Sequence, residues 1–306
     1  MRKQIIKFLF LLLAFGYAME AKSSHFTVDG IWYSYTNEDD DEVGVIYNKS
    51  GEYSGDVVIP STVTYNGKQY TVTKINAGAF LLDSALTAVT IPNSMTSIDS
   101  HAFQGCSNLK KVIWNARNAQ DCSYSSPFSG CGVTDFVFGE EVEHIPAYLC
   151  NNLRLLNTIV IPNSVTTIGN GAFAWCRGLT TVTIGNSVTT IGYRVFASCT
   201  GLTEVSIPNS ITTIGEKAFN GCTGLTEITI PNSVTDIGNL AFAGCTGLTE
   251  VSIPNSVTSI GSSAFSNCRG LKTVTIGNSV TTIGNWAFAS CTGLTEVSIP
   301  NSVTNI

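Results

Sequence analysis

The chain has 306 residues, only 12% of them charged, and a formal net charge of −6. An acidic chain without a basic stripe argues against nucleic acid or an anionic membrane as partner. No C-x₂-C spacing occurs among its 10 cysteines, so the sequence offers no ordinary zinc motif.

Residues 1–21, MRKQIIKFLFLLLAFGYAMEA, have the layout of a secretory signal peptide: basic Arg2 and Lys3, an apolar run from Ile5 to Ala18, then small residues. Cleavage after Ala18 or after Ala21 fits equally. The apolar run is shorter than the roughly 20 residues that span a bilayer, and no later stretch is long and apolar enough. Removing the segment takes away Arg2, Lys3, Lys7 and Glu20, three positive charges and one negative, and moves the net charge from −6 to −8. Cys106 is the first cysteine, so no N-terminal lipidation cysteine is available. The expectation is a protein that is secreted or held at the cell surface, with no transmembrane segment after signal removal.

Residues 22–53 read as a β-rich N-terminal cap. Phe26 to Tyr35 is dense in aromatic and β-branched residues, as is Val43 to Tyr47. The acidic run Glu38 to Glu42 between them is either a solvated loop tip or a calcium loop, and it lacks the spaced ligands of a known calcium loop. A cap is needed because the first coil of a stack otherwise exposes apolar surface.

From residue 54 to 306 the chain is a repeat. The first coil carries an insertion in which Asn66-Gly67 lies between β-rich runs, a strong hairpin signal. Regular coils then start at Leu86, Leu109, Val133, Leu156, Leu179, Leu202, Leu225, Leu248, Leu271 and Leu294, with a 23-residue period in the later ones. A fixed period of this size signals a solenoid. Numbering each coil 1 to 23, positions 1, 4, 6, 10 and 13 are nearly always Leu, Val or Ile. Positions 3 to 6 alternate polar and apolar, the period of a half-buried strand. Pro or Gly at position 7 ends that strand, and positions 10 to 13 form a second extended segment. Positions 15 to 21 place Ala218, Phe219 and Cys222 at helical spacing, so a short helix of about two turns is expected there. Position 14 admits Pro146 and therefore does not need positive φ; its usual Gly is read as relieving crowding at the helix start. Position 23, Gly or Asn, is expected to need positive φ to close the helix. Coils 109–155 are irregular, either as packing variants or as carriers of binding loops. The last coil stops at Ile306, position 13, and its bare apolar end is expected to mean either a truncated sequence or end-to-end self-association.

The motif LTxVxIPNSVTxIGxxAFxxCxG, over residues 54–306, resembles the BspA-like leucine-rich repeat family of bacterial surface and secreted proteins. The resemblance implies an α/β leucine-rich-repeat solenoid of stacked 23-residue coils, each with short parallel strands and a short helix. It also implies adhesion to host or bacterial proteins, and it brings no catalytic residues.

The side chains fit that picture. Cys106, Cys131, Cys176, Cys199, Cys222, Cys245, Cys268 and Cys291 recur at position 21 and are expected as reduced, buried thiols pointing the same way. Cys122 and Cys150 fall outside this row. His25, His101 and His144 form no recognisable nucleophile–base pattern, and no Gly-rich phosphate loop opens a long helix, so no catalysis and no cofactor or metal are expected. The exposed strand face carries Glu204, Glu227, Glu250 and Glu296 at position 3, broken by Thr181 and Thr273, with Thr and Ser alternating at position 5. This ribbon is either a solvated sheet face, where Thr is favoured, or a binding surface for a protein or glycan. Tyr193, Leu240 and Trp286 lie on the supposed helical side and are expected to pack over neighbouring coils. The chain thus reads as a non-catalytic binding or adhesion solenoid, or alternatively as a structural spacer.

Overall fold

The computed structural model describes residues 24–36, 41–49, 51–123 and 125–306. The signal-like segment 1–21 and Glu38 to Asp40 of the acidic run lie outside the described residues. Of that run, Asp41 pairs with Lys68 at 2.6 Å and Glu42 accepts a hydrogen bond from Thr73 at 3.0 Å.

The N-terminal strands are His25–Val28, Ile31–Tyr35 and Glu42–Val45, joined antiparallel in sequence order. Glu42–Val45 then runs parallel to Lys68–Ile75, which also takes Thr62–Tyr65 as its hairpin partner. The hairpin turns at Asn66 and Gly67, both at positive φ (50° and 76°), the pair of angles that matches the strand twist. Aromatic rings lock the N-terminal strands to this hairpin: Phe26 stacks on Tyr65 at 4.3 Å between centroids. The buried Tyr53 hydroxyl donates to Ile46 O and accepts from Trp32 N–H, and burial pushes its pKa up to about 12.

Beyond the hairpin the chain stacks coil on coil. Positions 3 to 6 give a first row of parallel strands. Gly55–Val58, Leu86–Ile91, Lys111–Trp114 and Asp135–Phe138 form one sheet; Thr158–Val160, Thr181–Thr183 and Glu204–Ser206 a second; Glu250–Ile253 and Thr273–Ile276 a third. Positions 12 and 13 give a second row, in which Thr190–Ile191, Thr213–Ile214, Asp236–Ile237, Ser259–Ile260 and Thr282–Ile283 pair in order.

The third side of each coil contains no helix among the described residues. The expected two helical turns are replaced by linked tight turns, for a reason visible in the hydrogen bonds. Ala218 and Cys222 amides close turns on Gly215 and Phe219 carbonyls of their own coil, whereas Lys217, Phe219 and Gly221 amides donate to Asn239, Ala241 and Ala243 of the next coil, at 2.8–2.9 Å. Alternate amides therefore leave the coil, and an α-helix would need all of them internally. The backbone achieves this by taking positive φ at positions 16 and 20, as at Lys217 (58°) and Gly221 (75°). Ala218, Phe219 and Cys222 are buried as expected, but on a turn ladder.

The glycines change role accordingly. Position 23 does not adopt positive φ; a Cβ on Gly224 would meet Thr200 O at 2.6 Å and Leu202 O at 3.1 Å. Glycine is needed there because carbonyls from the previous coil and from the start of its own coil press against it. Position 14 is crowded by the previous coil too, not by a helix start: a Cβ on Gly238 would come within 2.7 Å of backbone at Gly215 and Glu216.

The core is a set of ladders along the stack. Phe173, Phe196, Phe219, Phe242, Phe265 and Phe288 stack ring on ring at 5.2–5.5 Å. Cys150 occupies this row in the irregular coil 133–155, and Phe136 and Phe138 fill the space it leaves, making edge contacts with Phe128 and Phe173. Beside the rings, each position-21 thiol donates to a backbone carbonyl of the preceding coil, as Cys222 Sγ does to Phe196 O at 3.1 Å and Cys245 Sγ to Phe219 O at 3.2 Å. All the cysteines are free thiols. Burial pushes the Cys222 thiol up to about 12. Cys291, near the end of the ladder, donates likewise to Phe265 O at 3.1 Å.

Candidate functional site: the strand face

Position 3 of the first row faces outward because positions 4 and 6 are committed to the core. Glu204, Glu227, Glu250, Glu296 and Thr273 are exposed and Thr181 is half-buried. The register sets Thr181 directly beside Glu204, and Glu250 beside Thr273. Glu227 lies outside any strand, in a coil held to its neighbour at this level by a single bridge, Thr229 to Ser252. Glu296 is likewise outside the strands.

That irregularity marks the most distinctive feature of the face. Where the row is closed, a position-6 amide donates to the next coil, as Ile161 does to Thr183 O at 2.9 Å. Among the described residues no such bond joins Ile207 to Thr229. Coils 179 and 202 also lack it but keep their strands paired, whereas coils 202 and 225 share no strand pairing in the first row among the described residues. On the other sides the same two coils remain tied, Thr213 pairing with Asp236 and Phe219 N–H donating to Ala241 O at 2.8 Å. The stack thus opens on the strand side alone. The outcome is a groove of about 920 Å³ over coils 202–278, whose lining includes Glu227, Glu250 and Thr273 of the expected ribbon, with Ile207 and Ile228 among its apolar members. Ile207 is half-buried, whereas its equivalents Ile184 and Ile230 are buried. Glu204, Thr181 and Glu296 are not part of this lining.

The N-terminal half of the same face differs from the Thr/Ser alternation expected at position 5. Val58 (65% exposed), Ile113, Val137 (40%) and Val160 (64%) occupy it, interrupted by Thr90, and are legible as β-branched residues once the strand register is known. On the turn side, Trp286 is 78% exposed and does not pack over a neighbouring coil as expected.

One side-chain constellation escaped the sequence reading. His144 Nδ1 lies 2.7 Å from Thr167 Oγ1 and its Nε2 3.0 Å from Asp121 Oδ1, which also accepts the Ala147 amide. Three coils contribute one residue each, which is why linear spacing conceals it. The trio sits on the exposed second row, where His144 and Thr167 are paired strand residues, and it ties irregular coil 109–132 to the regular stack. Among the described residues no three His, Cys, Asp or Glu side chains are grouped so as to hold a metal ion, and no helix is long and apolar enough to cross a membrane.

A comparison with curated protein sequences gives no match. Among solved structures, a leucine-rich repeat protein from Bacteroides ovatus is similar at 25% identity and TM-score 0.63, over 92% of this chain and 87% of that one. The Treponema pallidum leucine-rich repeat protein shares the fold at 23% identity and TM-score 0.51, over 73% of this chain and 90% of its own. The family model for the BspA type leucine-rich repeat region matches residues 73–203, 123–239 and 194–306. With strand rows, buried ladders and the repeat motif all agreeing with that match, the chain belongs to the BspA-type leucine-rich repeat family.

Proposed function

We propose that this is a secreted or cell-surface protein whose strand face is a non-catalytic binding or adhesion surface for a host or bacterial protein or glycan. In this reading residues 1–21 are removed on export, residues 22–53 cap the stack and residues 54–306 carry the binding coils. The observation that carries it is the groove opened between coils 202 and 225. Here Ile207 is only half-buried, no first-row strand pairing joins the two coils among the described residues, and the opening offers carboxylates, hydroxyls and carboxamides over an apolar floor. Such a mixture suits a hydroxyl-rich sugar or a polar peptide, since a few placed polar groups give orientation while apolar contacts add area. Solenoids commonly bind along such extended faces.

The test is retention of host matrix proteins and glycans on the immobilised mature chain, repeated with the Glu227→Gln/Glu250→Gln variant. A retained ligand whose affinity falls about tenfold or more in the variant supports the reading. A chain that retains none of these ligands, or binds them equally well with both carboxylates neutralised, contradicts it and leaves the spacer role.

A further inference from the structure

We propose that the turn face of coils 133–224, on a different side of each coil from the strand groove, binds an anionic polysaccharide. The charge distribution is the first observation. In a chain of net charge −6, the sequence from His144 to Thr203 contains no Asp or Glu, yet it holds Arg154, Arg177 and Arg194. Lys217 extends the series to a fourth consecutive coil. Arg154 and Arg177 share position 22, and Arg194 and Lys217 share position 16, so each pair sits on neighbouring coils about 4.8 Å apart. Arg154, Arg177 and Arg194 are exposed and Lys217 is half-buried. Glu216, next to Lys217 in the chain, pairs with it at 2.6 Å.

Aromatic rings are the second observation. Trp175 is 46% exposed at position 20, and the Arg177 guanidinium lies 5.3 Å from its ring centre. Tyr193 lies under two cations, Arg194 at 5.0 Å and Lys217 at 5.6 Å. Bringing two positive charges onto one ring raises local positive potential, and the cation–π contact holds the planar Arg side chain in place. Guanidinium groups match carboxylate and sulfate oxygens in a two-pronged geometry. The exposed part of Trp175 beside the guanidinium adds apolar contact surface for the C–H groups of a sugar ring. One cation per coil over four coils answers a polymer that repeats its anion along its length. A single-stranded nucleic acid, which stacks its bases on aromatic rings, is the rival that the competitor arm tests.

The experiment measures binding of the mature chain to heparin as the sulfated probe and polygalacturonate as the carboxylated one, with dextran as neutral control and single-stranded DNA as competitor. Binding to at least one polyanion and not to dextran is expected, weakened at least tenfold by Arg177→Ala/Arg194→Ala and severalfold by Trp175→Ala at unchanged Tm. Which probe binds tells sulfate from carboxylate recognition. The Glu227→Gln/Glu250→Gln variant should bind polyanions as well as the parent, which separates this surface from the strand face. Absence of polyanion binding at low salt, insensitivity to the Arg and Trp substitutions, or tighter binding of single-stranded DNA than of either polysaccharide would each overturn the proposal.

Discussion

Cys222 and Cys291 occupy equivalent places in the repeat but differ in chemistry. Cys222 is closed in on all sides, and burial penalises its thiolate. Cys291 stands near the end of the ladder and is 7% exposed where Cys222 is fully enclosed. Brief alkylation without denaturant should therefore modify Cys291 before Cys222, which stays unmodified. Mass spectrometry of the peptides reads this directly, and equal labelling of Cys222 and Cys291 would contradict the assigned burial. The sign for stability follows from the same shift. A thiol raised from 9.0 to about 12 on folding leaves stability intact below pH 9 and removes it as pH climbs from 9 toward 12. The glycines provide a second residue-scale contrast. Gly192 has only ordinary contacts near its missing Cβ, the nearest at 3.8 Å, whereas Gly238 would place a Cβ 2.7 Å from backbone. Gly238→Ala should destabilise by ~1–3 kcal/mol through overpacking, while Gly192→Ala should be neutral or slightly stabilising through the unfolded chain. Equal midpoints for the two in chemical denaturation would show that coil spacing is not what these glycines serve.

At the scale of one coil, the sequence was legible where its period was unambiguous. Alternation at positions 3 to 6 can only be a strand with one buried face, and Val205 and Val251 are buried there. Positions 17, 18 and 21 were ambiguous, because Ala, Phe and Cys at those intervals satisfy one face of a helix as well as a chain of turns. The discriminating signal was the Gly and Asn at position 20, such as Gly221 and Asn267, which tolerate positive φ. Lys217 and Leu240 adopt positive φ as well, and nothing in their side chains announces it. The groove was illegible for a different reason: coils 202 and 225 have nearly the same motif, and their separation on one side only is a property of stacking. Phe219 tests the element directly. Its ring is buried between Phe196 and Phe242, at 5.5 and 5.3 Å. Phe219→Ala should cost ~3–5 kcal/mol, and because each coil touches only its neighbours, protection from hydrogen exchange should fall mainly within residues 179–247. Uniform loss along the chain, or none, would contradict this.

Across the whole molecule, the stack presents different chemistry on its sides. The strand face carries Glu227 and Glu250 over a groove, and the turn face carries Arg177, Arg194 and Trp175. Both presentations depend on the same backbone plan, in which the coils from 133 to 270 give alternate amides of their turn segments to the next coil. If that segment were helical, positions 16 and 20 would point elsewhere and neither the cation–aromatic pairs nor the carbonyl-bound thiols could form as described. Far-UV circular dichroism of the mature chain measures this plan most directly. The account predicts a β- and turn-type spectrum with no helical double minimum; a spectrum with two helical turns per coil would contradict it.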